Sequence, residues 1–259
     1  MKGWLLALAL VPAFAAAASD DFVRLPGGEF RSTLKYEDTG GRVTLPPFEL
    51  MKHPVTNAEF LAFVESHRQW QRGRATPVFV EPRYLQHWAG PVELGGDAQP
   101  AQPVVNVSWF AADAYCEAQG ARLPTWNEWE YAASADATRH DARADPAWRE
   151  TILRWYARPS NVPLADIGQA PANIYGVQDL NELVWEWVED FSGLLVSADN
   201  RDQKDPDRLK FCGAGALSVE DKENYAVLMR VAMLSSLDAA NSTGNLGFRC
   251  AKSLTETSP

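Results

Sequence analysis

At 259 residues the chain is long enough for one large domain or two small ones. It carries 24 basic against 34 acidic side chains, a formal charge of -10 with a pI near 4.9. That balance argues against nucleic acid, because gripping a phosphate backbone takes clustered Lys and Arg.

The chain opens with Lys2, an apolar run from Trp4 to Phe14, and four alanines ending at Ala18. A basic start, a short apolar core and an Ala-x-Ala end read as a secretory signal peptide over residues 1–18, which places the mature protein in the periplasm or outside the cell. The apolar run falls short of the roughly 20 residues that span a bilayer, and no later stretch is long enough for an anchor. Residues 19–259 show no Gly/Ser-rich or Pro-rich linker and no internal repeat, so one domain is expected.

Residues 22–31 (FVRLPGGEFR) alternate around Gly27-Gly28 and read as a hairpin or strand pair. Residues 43–51 read as a strand interrupted by Pro46-Pro47. Thr56 with Glu59 three residues later is a capping box, opening a helix whose Phe60, Leu61, Phe63 and Val64 share a face. Residues 72–103 turn to Pro, Gly, Trp and polar residues, an irregular surface region. Ser108 caps a helix over 109–119 that Gly120 ends. Thr125 with Glu128 is a second capping box, opening a helix from Trp126 to about Ala135. Residues 136–150 are charged and Ala-rich, a solvated helical excursion. Residues 225–234 and 247–251 look like strands. Ten tryptophans amid this much loop suggest a core held by aromatics, with Trp109, Trp126, Trp129, Trp185 and Trp187 inside it. Of the cysteines, Cys116, Cys212 and Cys250, two pair in an oxidising compartment and one is left over; spacing alone does not choose the pair.

Several blocks carry a family resemblance in a fixed order: LPGGEFR, HPVTNAEFLAFV, PVVNVSWFAADAYCEAQGARLPTWNEWEYAA, ANIYGVQDLNELVWEWVEDF and NLGFRC. Together they resemble the formylglycine-generating enzyme (sulfatase-modifying factor) superfamily, with departures at Asn181, Glu182 and Leu183. The resemblance implies a single α+β domain, C-type-lectin-like, with little regular secondary structure. It also implies a disulfide between Cys116 and Cys250, which leaves Cys212 as the odd thiol. It further implies a calcium ion held by the side chains of Asp179 and Glu186 and the carbonyls of Glu182 and Val184, hard oxygen donors of the kind calcium takes. The bland alternative is that Asp179 caps a turn and Glu186 is buried against an arginine such as Arg249. A second family calcium site looks eroded, with only Asn161, Val162 and Asp166 near it.

The founding chemistry of that superfamily uses two cysteines to hold copper(I), a soft ion that demands thiolates. Counting back from NLGFRC, this chain offers Asp221 and Ala226 there, and residues 218–242 contain no cysteine. Cys212 lies on the wrong side of the glycine segment 213–217, so formylglycine formation by the familiar route is not expected. A second branch, the ergothioneine-type sulfoxide synthases, uses a histidine-rich iron site. This chain has only His53, His67, His87 and His140, with no H-x-x-x-H-x-E pattern, so neither copper nor iron has a clear motif. In signal peptide, size and missing cysteines the chain is closest in character to the exported, pyoverdine-maturing branch.

The leading expectation is therefore an exported accessory protein that assists maturation of a peptide or protein partner. Its groove would be lined by residues 213–221, with Glu220, Asp221, Tyr225 and Arg230 as candidate catalytic groups. An acidic cluster can serve as general base, though such clusters are more often solvated surface. One rival is an oxidoreductase acting on a small peptide such as a siderophore precursor. Others are a non-catalytic lectin-like binding module and a copper-site assembly helper using Cys212, Met229 and Met233. Those methionines are soft donors four residues apart, but they more often fill core gaps.

Overall fold

The computed structural model describes residues 21–34, 41–158, 162–194 and 225–254. The expected signal peptide, residues 213–217, Cys212, Glu220, Asp221 and Asn161 lie outside these. Among the described residues no helix is long and apolar enough to cross a membrane.

The strands are short and the domain is α+β. Strands β1 (Phe22–Leu25), β4 (Phe48–Met51) and β7 (Ala251–Ser253) form an antiparallel sheet in the order β1-β4-β7. Strands β2 (Gly28–Arg31) and β3 (Arg42–Leu45) pair separately, and β5 (Trp185–Glu186) runs parallel to β6 (Leu246–Gly247). Residues 22–31 thus supply two strands, but they are no hairpin: β1 pairs with β4 and β2 with β3. The reason lies in where the breakers face each other. Gly27, at φ 66°, turns the chain against the carbonyls of Leu45 and Pro46, leaving no room there for a Cβ. Pro46 and Pro47 break the partner strand at the same level, since proline donates nothing to a ladder.

The helices start where their caps put them. Helix α1 (Asn57–Ser66) follows Thr56, whose Oγ1 accepts from Glu59 N while Glu59 accepts from Thr56 N. Helix α2 (Trp109–Ala118) follows Ser108, and Gly120 at φ 64° lets the chain leave it. Helix α3 (Trp126–Ala133) carries the second capping box, Thr125 with Glu128. Helix α4 (Pro146–Tyr156) begins later than the charged run suggests. Residues 136–145 are turns in which Arg139 holds Asp136 and Asp145, and Arg143 holds Asp141. Pro146 then sits in the first turn, where a missing N–H costs nothing.

Helix α5 (Tyr225–Ser235) corrects the strand expected there. Its β-branched and aromatic composition misleads, because the burial has helical period. Val227, Arg230, Val231 and Leu234 are buried, while Met229 is 38% exposed. The strand expected over 247–251 is also split. Gly247 ends β6 where a Cβ would strike the Val104 carbonyl at 2.6 Å, and β7 starts only at Ala251. Between them Phe248, Arg249 and Cys250 are all fully buried.

The core is aromatic at its centre. Phe60 packs against Tyr115, Trp88 and Phe248 with ring centroids 5.8, 6.2 and 6.0 Å away. Beside this cluster Cys116 of α2 and Cys250 form a disulfide, with Cα atoms 5.5 Å apart across a sequence separation of 134. In the chain-entropy picture a loop of that length stabilises by roughly 5 kcal/mol. Reduction under non-denaturing conditions, or Cys116→Ala with Cys250→Ala, is expected to lower Tm by on the order of 10–15 °C. A thermal scan showing less than a few degrees of loss would mean the bridge constrains little.

Candidate functional site

The site grows out of two arginines on either side of one tryptophan. Arg249 and Glu186 are both fully buried. Nε and Nη2 of Arg249 donate to the two carboxylate oxygens of Glu186, each at 2.9 Å. Its Nη1 donates to the carbonyls of Met51 and Lys52 at 3.0 Å, and Nη2 also reaches the Gln178 carbonyl at 2.9 Å. All five N–H groups of the guanidinium are therefore used. Glu186 Oε2 accepts a further bond from Trp129 Nε1 at 2.8 Å.

The face of Trp129 meets the second arginine. Arg230 of α5 is 1% exposed, with its guanidinium carbon 3.9 Å from the Trp129 ring centroid and 5.1 Å from that of Trp185. Its Nη2 donates to the Leu180 carbonyl at 3.2 Å, and it is hydrogen-bonded to Tyr156. Its Nη1 has no partner, and no carboxylate contacts Arg230 among the described residues. Burial pulls the guanidinium below its usual range, with Tyr156 and Glu186 opposing. Burial pushes the Tyr156 hydroxyl up, so it stays a neutral phenol at physiological pH.

Outside Arg230 lies an aromatic groove of about 300 Å3. The Tyr156 and Trp185 rings stack at 4.8 Å and 12°, and Trp155 leans on Trp185 at 5.3 Å. Arg158, Pro163, Leu183 and Asn245 are among its other walls. Two of these aromatics, Trp155 and Tyr156, come from the end of α4, just beyond the stretch 136–150 whose sequence reads as a charged excursion. Trp185 was expected in the core and is only half-buried, as is Trp109. Strand alternation accounts for Trp185: Glu186 points inward, so its neighbour points out. Trp126, Trp129 and Trp187 are core residues as expected.

The other expected site residues scatter. Tyr225 opens α5. Met229 points outward, whereas Met233 packs against the core. Asp179 is 6% exposed at φ 63°, with Oδ2 accepting from Gly168 N at 2.6 Å. It meets no basic side chain among the described residues. Glu182 is exposed and Val184 buried. The donors expected for calcium thus divide. Asp179 and the carbonyls of Glu182 and Val184 are hard oxygens suited to that ion, whereas Glu186 already shares its charge with Arg249. The histidines sit apart: His67 stacks on Phe63, and His140 leans at a tilt against Tyr175. His87 is held neutral, its pKa lowered to about 4 by burial first and then by Arg72. Among the described residues no three His, Cys, Asp or Glu side chains are grouped as a metal site.

The sulfatase-modifying factor enzyme 1-like domain matches residues 8–254. A formylglycine-generating enzyme of Streptomyces coelicolor is 32% identical, over 95% of this chain and 94% of its own. The mouse protein named inactive C-alpha-formylglycine-generating enzyme 2 is 29% identical, over 89% of this chain and 85% of its own. A hercynine oxygenase of Mycolicibacterium smegmatis is 29% identical, over 69% of this chain but 47% of its own. Among solved structures, that of CarF covers 91% of this chain and 98% of its own, with TM-score 0.50 at 16% identity.

The buried pair gives a direct test of the framework. Glu186→Gln leaves the Arg249 charge uncompensated, and breaking such a pair costs roughly 3–5 kcal/mol. In urea denaturation the midpoint is expected to fall with the slope unchanged. A change under about 0.5 kcal/mol would show that the pair does not hold the framework together.

Proposed function

Because the chain belongs to the sulfatase-modifying factor enzyme 1-like family, we propose that it is an exported accessory protein that binds a segment of a maturing peptide or protein. The segment lies in the groove floored by Tyr156 and Trp185, and no thiol–copper formylglycine chemistry takes place. The observation that carries this reading is an aromatic groove beside α5 in a chain whose residues 218–242 contain no cysteine. The founding enzymes hold copper(I) through a cysteine pair, and that pair is missing at the corresponding positions here. Flat, stiff rings offer a large apolar surface at little conformational cost, which suits an extended peptide. The mouse relative, named inactive, is in keeping with a family branch that retains the scaffold without that activity. Export is supported by residues 1–18, which have the three parts of a signal peptide.

An oxidoreductase acting on a small peptide is the second reading. It is favoured by the similarity to a hercynine oxygenase, with Asp221 as general base. The two readings separate on one substitution. Asp221→Asn abolishes turnover and oxygen consumption in an oxidoreductase and leaves binding intact in an accessory module.

The mature protein is expected to bind a subset of peptides from an extract of its own compartment and to produce no formylglycine on a cysteine peptide by mass spectrometry. Trp185→Ala removes half of the stacked floor and is expected to weaken peptide binding by about tenfold or more, the range of a central aromatic contact. Unchanged affinity would place the peptide elsewhere. An aldehyde product would overturn the loss of chemistry.

Calcium belongs to the same reading. We propose that Asp179, with the carbonyls of Glu182 and Val184 and a share of Glu186, holds one calcium ion. A buried carboxylate without a basic partner is stabilised by a cation. Calcium is expected to raise Tm of the wild type and not of Asp179→Asn. An equal rise in both proteins would move the ion to another place.

A further inference from the structure

We propose that Arg230 is the positive end of a binding site for a carboxylate group. A guanidinium presents five N–H donors and cannot shed its charge at physiological pH. When it is buried, each donor needs an acceptor and the charge needs a counter-charge, or the site costs several kcal/mol. Arg249 meets that requirement through Glu186, and Arg143 through Asp141 and Glu130. Arg230 is as deeply buried as Arg249, yet among the described residues its oxygen partners are a carbonyl and a phenol, both neutral.

Among the described residues, the two carboxylates beside it are already occupied. Glu186 is taken by Arg249 and Trp129. Glu130 accepts from Ser32, from both the N–H and the hydroxyl of Thr33, from Trp126 and from Arg143. The two indole faces beside Arg230 offset part of its desolvation. They satisfy no N–H in the plane of the guanidinium, which is where Nη1 is left bare.

A small space lies beside it. A cavity of about 10 Å3 is lined by Arg230, Tyr156, Asn181 and Ser134 and by apolar side chains such as Trp129 and Ile152; Glu130 is also on its wall, with its carboxylate held by Arg143, Ser32 and Thr33. Its volume is room for about one water-sized group, such as an oxygen of a carboxylate. Tyr156 lines both this cavity and the aromatic groove. On this proposal a carboxylate comes from the groove past the Tyr156 ring to Arg230, where it would complete the Nη1 donor and neutralise the charge together. A fork of two N–H groups favours carboxylate over a spherical anion. The anion site stands on the geometry of Arg230 alone. Assigning the carboxylate to a bound peptide, as a chain terminus or an acidic side chain, rests on the proposed function.

The test uses the purified mature protein and sodium formate, with sodium chloride at equal ionic strength as control. Formate is expected to raise Tm saturably, by about 5 °C or more at roughly a hundredfold excess over Kd. It is also expected to change tryptophan fluorescence, because Trp129 and Trp185 flank the charge. Arg230→Met should abolish both responses and have a formate-free Tm no lower than the wild type, since an unpaired buried charge has been removed. Arg230→Lys keeps the charge without the fork and should bind formate about tenfold more weakly. If Arg230→Met does not fold, Arg230→Lys alone decides the matter. Equal responses to formate and chloride, or a formate response that either variant keeps in full, would overturn the proposal. So would no formate response combined with a lower Tm in Arg230→Met, because the arginine would then be a packing element of the aromatic box. Peptides with free and with amidated C-termini tell a chain terminus from an acidic side chain. A formate response without any peptide binding would sink the accessory reading and leave the anion site standing.

Discussion

The fork between Arg249 and Glu186 is the constraint from which the rest of the site follows. Both residues are fully buried, so their charges are tolerated only while each lone pair and each N–H finds its partner. One guanidinium consequently fixes three places at once: the end of β4 through Met51 and Lys52, the loop at Gln178, and β5 through Glu186. The residues on either side of Arg249 extend the tie. Phe248 accepts from Val55 N at the entry to α1, and Cys250 is bonded to α2. A chain with so little regular sheet gains through these few long-range anchors what a larger sheet gains from its ladder.

That anchor also decides what Trp129 can do. With Nε1 committed to Glu186, the indole cannot rotate, and its face is presented to α5. Arg230 is held against it and, on the other side, against Trp185, whose orientation is set by the inward position of Glu186 on the same short strand. Two arginines thus flank one tryptophan in opposite states. The first has every donor met and serves as structure. The second has an open donor and faces a cavity. The contrast between them, rather than the burial of either, marks Arg230 as a place for chemistry or recognition.

Much of this was legible in the sequence wherever the signal was local. The capping residues Thr56, Ser108 and Thr125 start helices because each supplies an oxygen to N–H groups that would otherwise be bare. Signals that depend on partners far along the chain were not legible. Gly27 marks a break correctly, but only Pro46 and Pro47 opposite it explain why β1 and β2 take different partners. Helix α5 is misread because Tyr, Val and Met suit a strand, whereas its burial at 227, 230, 231 and 234 appears only once the core is in place. The groove was missed for a related reason. Trp155 and Tyr156 end a helix that looks solvated by composition, and they gain a role only when Trp185, some thirty residues away, stacks on them. The alternative weighed for Glu186, burial against Arg249, could be stated from sequence because both residues stand in strongly patterned blocks.

The same geometry explains how a family scaffold can outlive the thiol pair of its founding chemistry. The anchors belong to β4, β5, α1, α2 and the segment just before β7, whereas the expected thiol positions belong to α5 and the residues before it. Among the described residues, the bonds that hold Arg249, Glu186 and the disulfide involve no residue of α5. Helix α5 is attached to the core through Val227, Val231, Met233 and Leu234, whereas Met229 is exposed. Substitutions on the outward positions therefore cost little folding energy, since exposed sites away from buried networks are nearly neutral. Arg230 is the exception on this helix. It is buried and charged, and it lacks a carboxylate partner among the described residues, so plain folding stability would favour an apolar residue of similar volume. Its presence at that cost makes it the strongest sign that the site still has a ligand to meet.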